Sequence, residues 1–205
     1  MKEIIKNTLI LFAITLVAGL LLGIVYEVTK APRKKQEELA QQKAYAAVFK
    51  DADNFKEQKY DKKKLEKFLS KNGIKTSIAR VEGVVSALDK DGNELGYVIT
   101  VTDKEGYGGD ITLTVGIKSD KTVNGISILT INETAGLGME AKEKSFKKQF
   151  EDKKVDRFVY TKDAVAENEI DVISGATITT NAVTGGVNTA IICFEYLTDG
   201  GVADE

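Results

Sequence analysis

Asp171-Val-Ile-Ser174-Gly175-Ala176-Thr177-Ile-Thr179-Thr180 is a short hydroxyl-rich turn that runs directly into a helical pattern. Beyond it Val183, Val187, Ala190, Ile191, Phe194 and Leu197 recur at offsets 0, 4, 7, 8, 11 and 14, the spacing of one apolar helix face. A helix starting near Thr179 or Thr180 exposes unpaired N–H groups and the positive end of its dipole, a favourable place for phosphate. The plainer reading is that Thr179 or Thr180 is simply the N-cap of that helix. Chemistry alone leaves both open. A threonine hydroxyl with no histidine or evident lysine partner is a poor nucleophile, so modification of this turn would need a second enzyme to activate it.

Upstream the period changes from helical to alternating. Residues 80–88 and 94–102 flank Asp89-Lys90-Asp91-Gly92-Asn93, an Asp-Gly turn between β-rich runs that reads as a hairpin. Further strands are expected at 111–117 and 125–132, a lysine-rich helix at 141–151, and a short strand at 156–161. Residues 31–50 hold the only proline, Pro32, followed by strong helix formers. Residues 50–77 are lysine-rich and weakly patterned, a surface helix or loop. The expected fold class is α+β, an antiparallel sheet with flanking helices, preceded by one N-terminal transmembrane helix. The expected divisions are an anchor at 1–30, a helical linker region at 31–78 and the main domain at 79–205.

Composition narrows the chemistry. The chain has 205 residues, one cysteine (Cys193) and no histidine. A disulfide within the chain and a cysteine-based zinc or iron–sulfur site are excluded, and the commonest general base is missing. No catalytic residue emerges, and no metal set built on histidine or cysteine is possible, so redox chemistry would have to come from an imported organic cofactor or a carboxylate-bound metal. Residues 1–35 carry a net charge of +4, and the remainder −6. An acidic main domain argues against nucleic acid as a partner.

The positive end adjoins Thr8–Tyr26, which contains no charged residue. About 20 apolar residues cross a bilayer as a helix, and the run exceeds the roughly 7–15 residues of a signal-peptide core. No small-x-small cleavage site follows it. The reading is therefore a single-pass anchor in a lipid bilayer. Two Lys or Arg residues precede the span and four follow it, a weak bias that would keep the main domain in the cytoplasm.

Two other glycine-rich turns stand out, Gly106-Tyr107-Gly108-Gly109 and Glu133-Thr134-Ala135-Gly136-Leu137-Gly138. Either could wrap a ligand or merely join strands. Neither has the P-loop or dinucleotide-fingerprint context.

Taken in order, the N-terminal span, Ala44–Asp53, the two turns and Asp171-x-x-Ser-Gly-Ala-Thr177 resemble the G subunit of the Rnf ion-translocating electron-transport complex. They are also similar to the C subunit of the sodium-translocating NADH:quinone oxidoreductase, although the short length favours the former. The resemblance implies an FMN-binding domain. It also implies a flavin transferase that takes FMN from FAD and esterifies its phosphate to Thr177. Ser174, Gly175 and Ala176 would then lie beside the phosphate. Asp171 would recognise or support the modified turn, and Glu133, Thr134, Gly136 and Leu137 would line the flavin pocket. The implied role is an electron-transfer subunit, with other members of the complex as partners, coupling ferredoxin:NAD oxidoreduction to ion movement. The flavin domain would lie on the extracytoplasmic face of the cell membrane, against the weak charge bias. The family usually has proline where Ala135 stands, which leaves this turn more flexible, and often proline at Lys50. Two alternatives remain: a membrane-anchored flavin carrier for an extracellular reductase, and a cofactor-free assembly module.

Overall fold

A computed structural model describes residues 1–201. The chain divides into two compact units, Met1–Gln41 and Gln42–Glu205. The first is wholly helical, part of α1 (Lys2–Val48). An 18-residue window of α1 has a mean hydropathy of 2.7 and buries none of its side chains, so by length and composition this helix can cross a membrane.

The second unit is α+β. Its centre is a five-stranded antiparallel meander of β1 (Asn54–Glu57), β2 (Ala79–Leu88), β3 (Glu94–Asp103), β4 (Ile111–Lys118) and β5 (Val123–Thr130), in that spatial order. Asp89 makes the β2–β3 turn, where its Oδ1 accepts the Asp91 and Asn93 amides at 2.9 and 2.8 Å. Alternation then sorts the side chains. Ile99 and Val101 of β3, and Ile111, Leu113, Val115 and Ile117 of β4, join the main core, while Val98 and Ala87 join a smaller one. Tyr45, Val48 and Phe49 complete that smaller core.

The main core is built around α4 (Thr177–Tyr196). All six residues of the expected apolar face are buried. So is much of the rest of the helix, because α2 (Lys62–Lys71) packs on it as well as the sheet. Buried Thr184 and Thr189 keep their hydroxyls satisfied by donating to the Thr180 and Gly185 carbonyls, both at 2.8 Å. Cys193 is fully buried core filling, and burial pushes its thiol pKa up to about 12.

Two stretches differ from the sequence expectation. The helix expected at 141–151 is broken into a 3-10 turn (Gly138–Lys142), the four-residue α3 (Lys144–Lys147) and a second 3-10 turn (Lys148–Phe150). Extended backbone at Glu143 interrupts it, and the shorter pieces deliver Ala141, Phe146 and Phe150 to the core. Residues 50–77, read as a surface helix or loop, supply both α2 and the edge strand β1. β1 has one apolar residue, Phe55, and is mostly exposed, so its sequence carries no strand pattern. Asp61 caps α2 by accepting the Lys63 and Lys64 amides at 3.0 and 3.1 Å, and Leu65 and Leu69, one turn apart, are buried. The strand expected near 156–161 is β6 (Val159–Thr161), paired in parallel with β7 (Glu169–Asp171).

Candidate functional site

Helix α4 begins at Thr177 itself, two or three residues earlier than the sequence suggested. Its N-cap is Ala176, which offers no side-chain hydrogen bond. The first internal bond runs from the Thr180 amide to the Ala176 carbonyl at 3.0 Å. The amides ahead of it therefore have no intrahelical acceptor. Neither Thr179 nor Thr180 is the cap, which removes the plainer reading of this turn. Thr180 Oγ1 instead accepts the Ile173 amide and donates to the Ala176 carbonyl, both at 3.1 Å, bracing the turn against the helix. Gly175 has φ +72, a left-handed conformation that swings the chain into the helix and favours glycine. Thr177 is left exposed at an uncapped helix N-terminus.

The other two glycine turns close on this point. Gly108 lies so near the next turn that a Cβ on it would sit 1.8 Å from the Asn132 carbonyl oxygen. Its amide donates to Glu133 Oε1 at 3.2 Å. Gly138 lies against the start of α4, where a Cβ would fall 2.6 Å from Thr179 Oγ1 and 2.7 Å from Glu133 Cβ. These close approaches bring three turns, separated by up to about 70 residues of chain, around one cleft of about 510 Å³. That volume lies in the range of ligand pockets, roughly 300–1,000 Å³.

Of the residues singled out in the sequence, Glu133, Thr134, Leu137, Gly175, Ala176 and Thr177 line this cleft. Asp171, Ser174 and Gly136 are not among its walls. Asp171 ends β7, where its Oδ1 accepts the Ala164 amide at 2.9 Å and its own amide donates to Gln149 Oε1 at 2.6 Å. It supports the segment leading into the turn. Gly136, with φ +73, shapes a loop in which the Thr134 carbonyl accepts the Leu137 and Met139 amides at 3.1 and 3.2 Å. Tyr107 and Gly138, from the two other glycine-rich turns, also line the cleft, as do Thr179 and Ile178, of which Ile178 had no place in the sequence reading. Tyr107 is 75% exposed and Ile178 51% exposed. Ile178 was detectable in principle, since it is a large apolar residue lying off the helix's buried stripe.

The arrangement has two chemically distinct ends. At one, unpaired amides and the helix dipole meet an exposed hydroxyl, suited to a phosphate or its ester. At the other, Tyr107, Leu137 and Ile178 offer apolar surface suited to a planar ring system. Those are the needs of a flavin mononucleotide, and the residues present fit it. Among the described residues no cluster of three or more His, Cys, Asp or Glu could hold a metal ion.

Comparison with known proteins agrees with this geometry. A family described as "FMN-binding domain" matches residues 106–192, which span all three turns, and one described as "RnfG N-terminal region" matches residues 1–48. The G subunit of the proton-translocating ferredoxin:NAD(+) oxidoreductase complex of Clostridium ljungdahlii is 33% identical over 85% of this chain and 83% of its own. The G subunit of the Na(+)-translocating counterpart from Acetobacterium woodii is 32% identical over 96% of this chain and 94% of its own. The crystal structure of Shewanella oneidensis NqrC aligns with a TM-score of 0.49 at 21% identity, covering 58% of this chain and 61% of that one. With a third of its residues shared along nearly its full length, the chain belongs to the RnfG family, the G subunits of ion-translocating oxidoreductase complexes.

Proposed function

We propose that this chain is a membrane-anchored electron-transfer subunit that carries FMN as a phosphoester on Thr177. The observation that carries the reading is the meeting of three glycine turns at one cleft, with an exposed threonine hydroxyl at an uncapped helix N-terminus. The amides at the start of α4 would hold the phosphate. Ser174 and Gly175 precede it on the same turn, and Tyr107, Leu137 and Ile178 would bear on the ring. Bound there, FMN supplies the capacity to accept and pass on single electrons. The protein's residues set its position, exclude water from the ring's apolar face and prevent dissociation.

Thr177 lacks a base to activate it, so a separate flavin transferase is part of this reading. The second unit would lie on the extracytoplasmic face, where that transferase would act, with α1 in the lipid bilayer. The relatives named above belong to ferredoxin:NAD(+) oxidoreductase complexes. By extension the remaining subunits of such a complex are the partners here, and ion movement is the output of the assembly. No catalytic residue of this chain's own enters the scheme.

The test is fluorescence after SDS electrophoresis of membranes from cells producing the chain. Wild type should give a yellow-fluorescent band at the chain's mass, and Thr177→Val should give none at equal protein. Covalent fluorescence persisting in Thr177→Val would refute the attachment site. A dark wild-type band would refute covalent flavin altogether.

A further inference from the structure

Asp103 ends β3 and is only 3% exposed. Its Oδ1 accepts the Glu105 amide at 2.9 Å, and no lysine or arginine pairs with it among the described residues. The carboxylate faces α4, where a Cβ on Gly185 would lie 3.1 Å from Oδ2. From Thr177 to Ile192 that helix carries no ionisable side chain, and β4 contributes only Lys118, at the end far from Asp103. The charged groups near Asp103 are Glu105 and Asp110, which oppose its ionisation, the exposed Lys104 beside it, and Arg80 of β2, held by Glu82 at 2.7 Å. A buried carboxylate without a counter-charge is costly unless it takes up a proton, and such groups concentrate at functional sites. Burial raises its pKa to about 6, with Glu105 and Asp110 adding to the effect and the Glu105 amide opposing it.

Its position ties it to the cleft by two routes. Along the chain, Asp103 anchors Glu105, and two residues further Tyr107 forms a cleft wall. Across to α4, Asn181, one turn past Thr177, donates to Glu105 Oε2 at 3.5 Å. Gly185 lies eight residues past Thr177, about 12 Å of helix. At separations of that order two charges within a protein still interact measurably.

Building on the proposed flavin site, we propose that Asp103 is the proton-exchanging group coupled to electron entry at the cleft. When a one-electron donor reduces the redox group held there, the Asp103 carboxylate takes one proton from solvent and forms an O–H bond. When the electron leaves, the proton is released and the carboxylate returns. No other bond of the protein changes.

The test uses the full chain in detergent, oxidised and then reduced with dithionite, read by infrared difference spectroscopy and by the midpoint potential against pH. Wild type should gain a protonated-carboxyl C=O band on reduction at neutral pH, and Asp103→Asn should lose it. Asparagine can still accept the Glu105 amide, so the turn is kept. The wild-type potential should fall more steeply with pH than the variant's from about pH 6 up to the higher pKa of the reduced state, the two curves converging below pH 6 and running parallel above that window. Gly185→Ala adds a methyl against Oδ2 and should move the break to higher pH without removing the group. A band absent from wild type, a band retained in Asp103→Asn, or superimposable potential curves would each overturn the proposal. If the wild-type chain carried no flavin absorption, the proposed function itself would fall, and this coupling with it.

Discussion

Replacing Gly108 with alanine tests whether the cleft is assembled by contact between turns. The added Cβ would sit 1.8 Å from the Asn132 carbonyl oxygen, 2.8 Å from its carbonyl carbon and 3.4 Å from Glu133 Cα. All three are backbone atoms, so no side-chain rotation relieves the overlap. A non-bonded carbon needs roughly 3.5 Å, so the two turns must separate by more than an ångström. That separation also breaks the 3.2 Å bond from the Gly108 amide to Glu133 Oε1. Overpacking of this kind costs about 1–3 kcal/mol, and each kcal/mol lowers Tm by roughly 2–4 °C in a domain of this size. The turn is exposed and can yield, so stability should fall modestly while covalent flavin content falls more. Gly92→Ala is the control. It lies in the β2–β3 turn with φ +85 and nothing within 4 Å, so it incurs a similar backbone cost, roughly 1–2 kcal/mol, away from the cleft. Thermal unfolding and in-gel flavin fluorescence, measured on both variants, separate the two effects. Gly108→Ala with full flavin content and unchanged Tm would refute the turn-contact account.

Other expectations concern the core and Asp103, the one buried carboxylate among the described residues. Phe150 is fully buried and packs edge-on against Phe146 and Phe158, with ring centroids 5.7 and 5.0 Å away. Phe150→Ala should cost about 3–5 kcal/mol in denaturant unfolding, and a loss below about 1 kcal/mol would contradict the packing. Asp103 has its pKa raised from 3.8 to about 6 on folding, so the folded state binds the proton more tightly than the unfolded chain does. Its contribution to stability is therefore fully present below pH 3.8 and is lost as pH rises through about 6. Asp103→Asn should accordingly raise Tm relative to wild type at pH 8 and lose that advantage in acid. Parallel Tm curves across this range would show that the carboxylate is not strained by burial.

The features readable from sequence were those with a local cause. The stripe from Val183 to Leu197 buries as expected because helix period and burial are set by the same geometry. The Asp89–Asn93 hairpin formed because Asp89 satisfies the turn's own amides. The start of α4 differs from the expectation because Thr179 and Thr180 have the chemistry of caps, whereas the chain uses Gly175 and leaves Ala176 at the cap position. Glu143 broke the expected 141–151 helix because bringing Ala141, Phe146 and Phe150 to one core requires a bend that no periodicity records. The cleft was legible only as separate turns. What joins them is the Asn132 carbonyl beside Gly108 and the Thr179 hydroxyl beside Gly138, contacts made across distant parts of the chain. Asp103 was invisible for the same reason, since Thr-Val-Thr-Asp-Lys-Glu reads as a strand running out into a solvated turn.

The central claim, that a hydroxyl at the uncapped start of α4 is the tether for a redox cofactor, is tested most directly by mass spectrometry. The chain would be purified from native membranes, digested, and the peptide containing residues 171–180 fragmented. The account predicts an added mass of one FMN less one water, carried on Thr177 and absent from Ser174, Thr179 and Thr180. An unmodified peptide from a chain that nevertheless retains flavin through denaturation, or the same mass on a neighbouring hydroxyl, would contradict it.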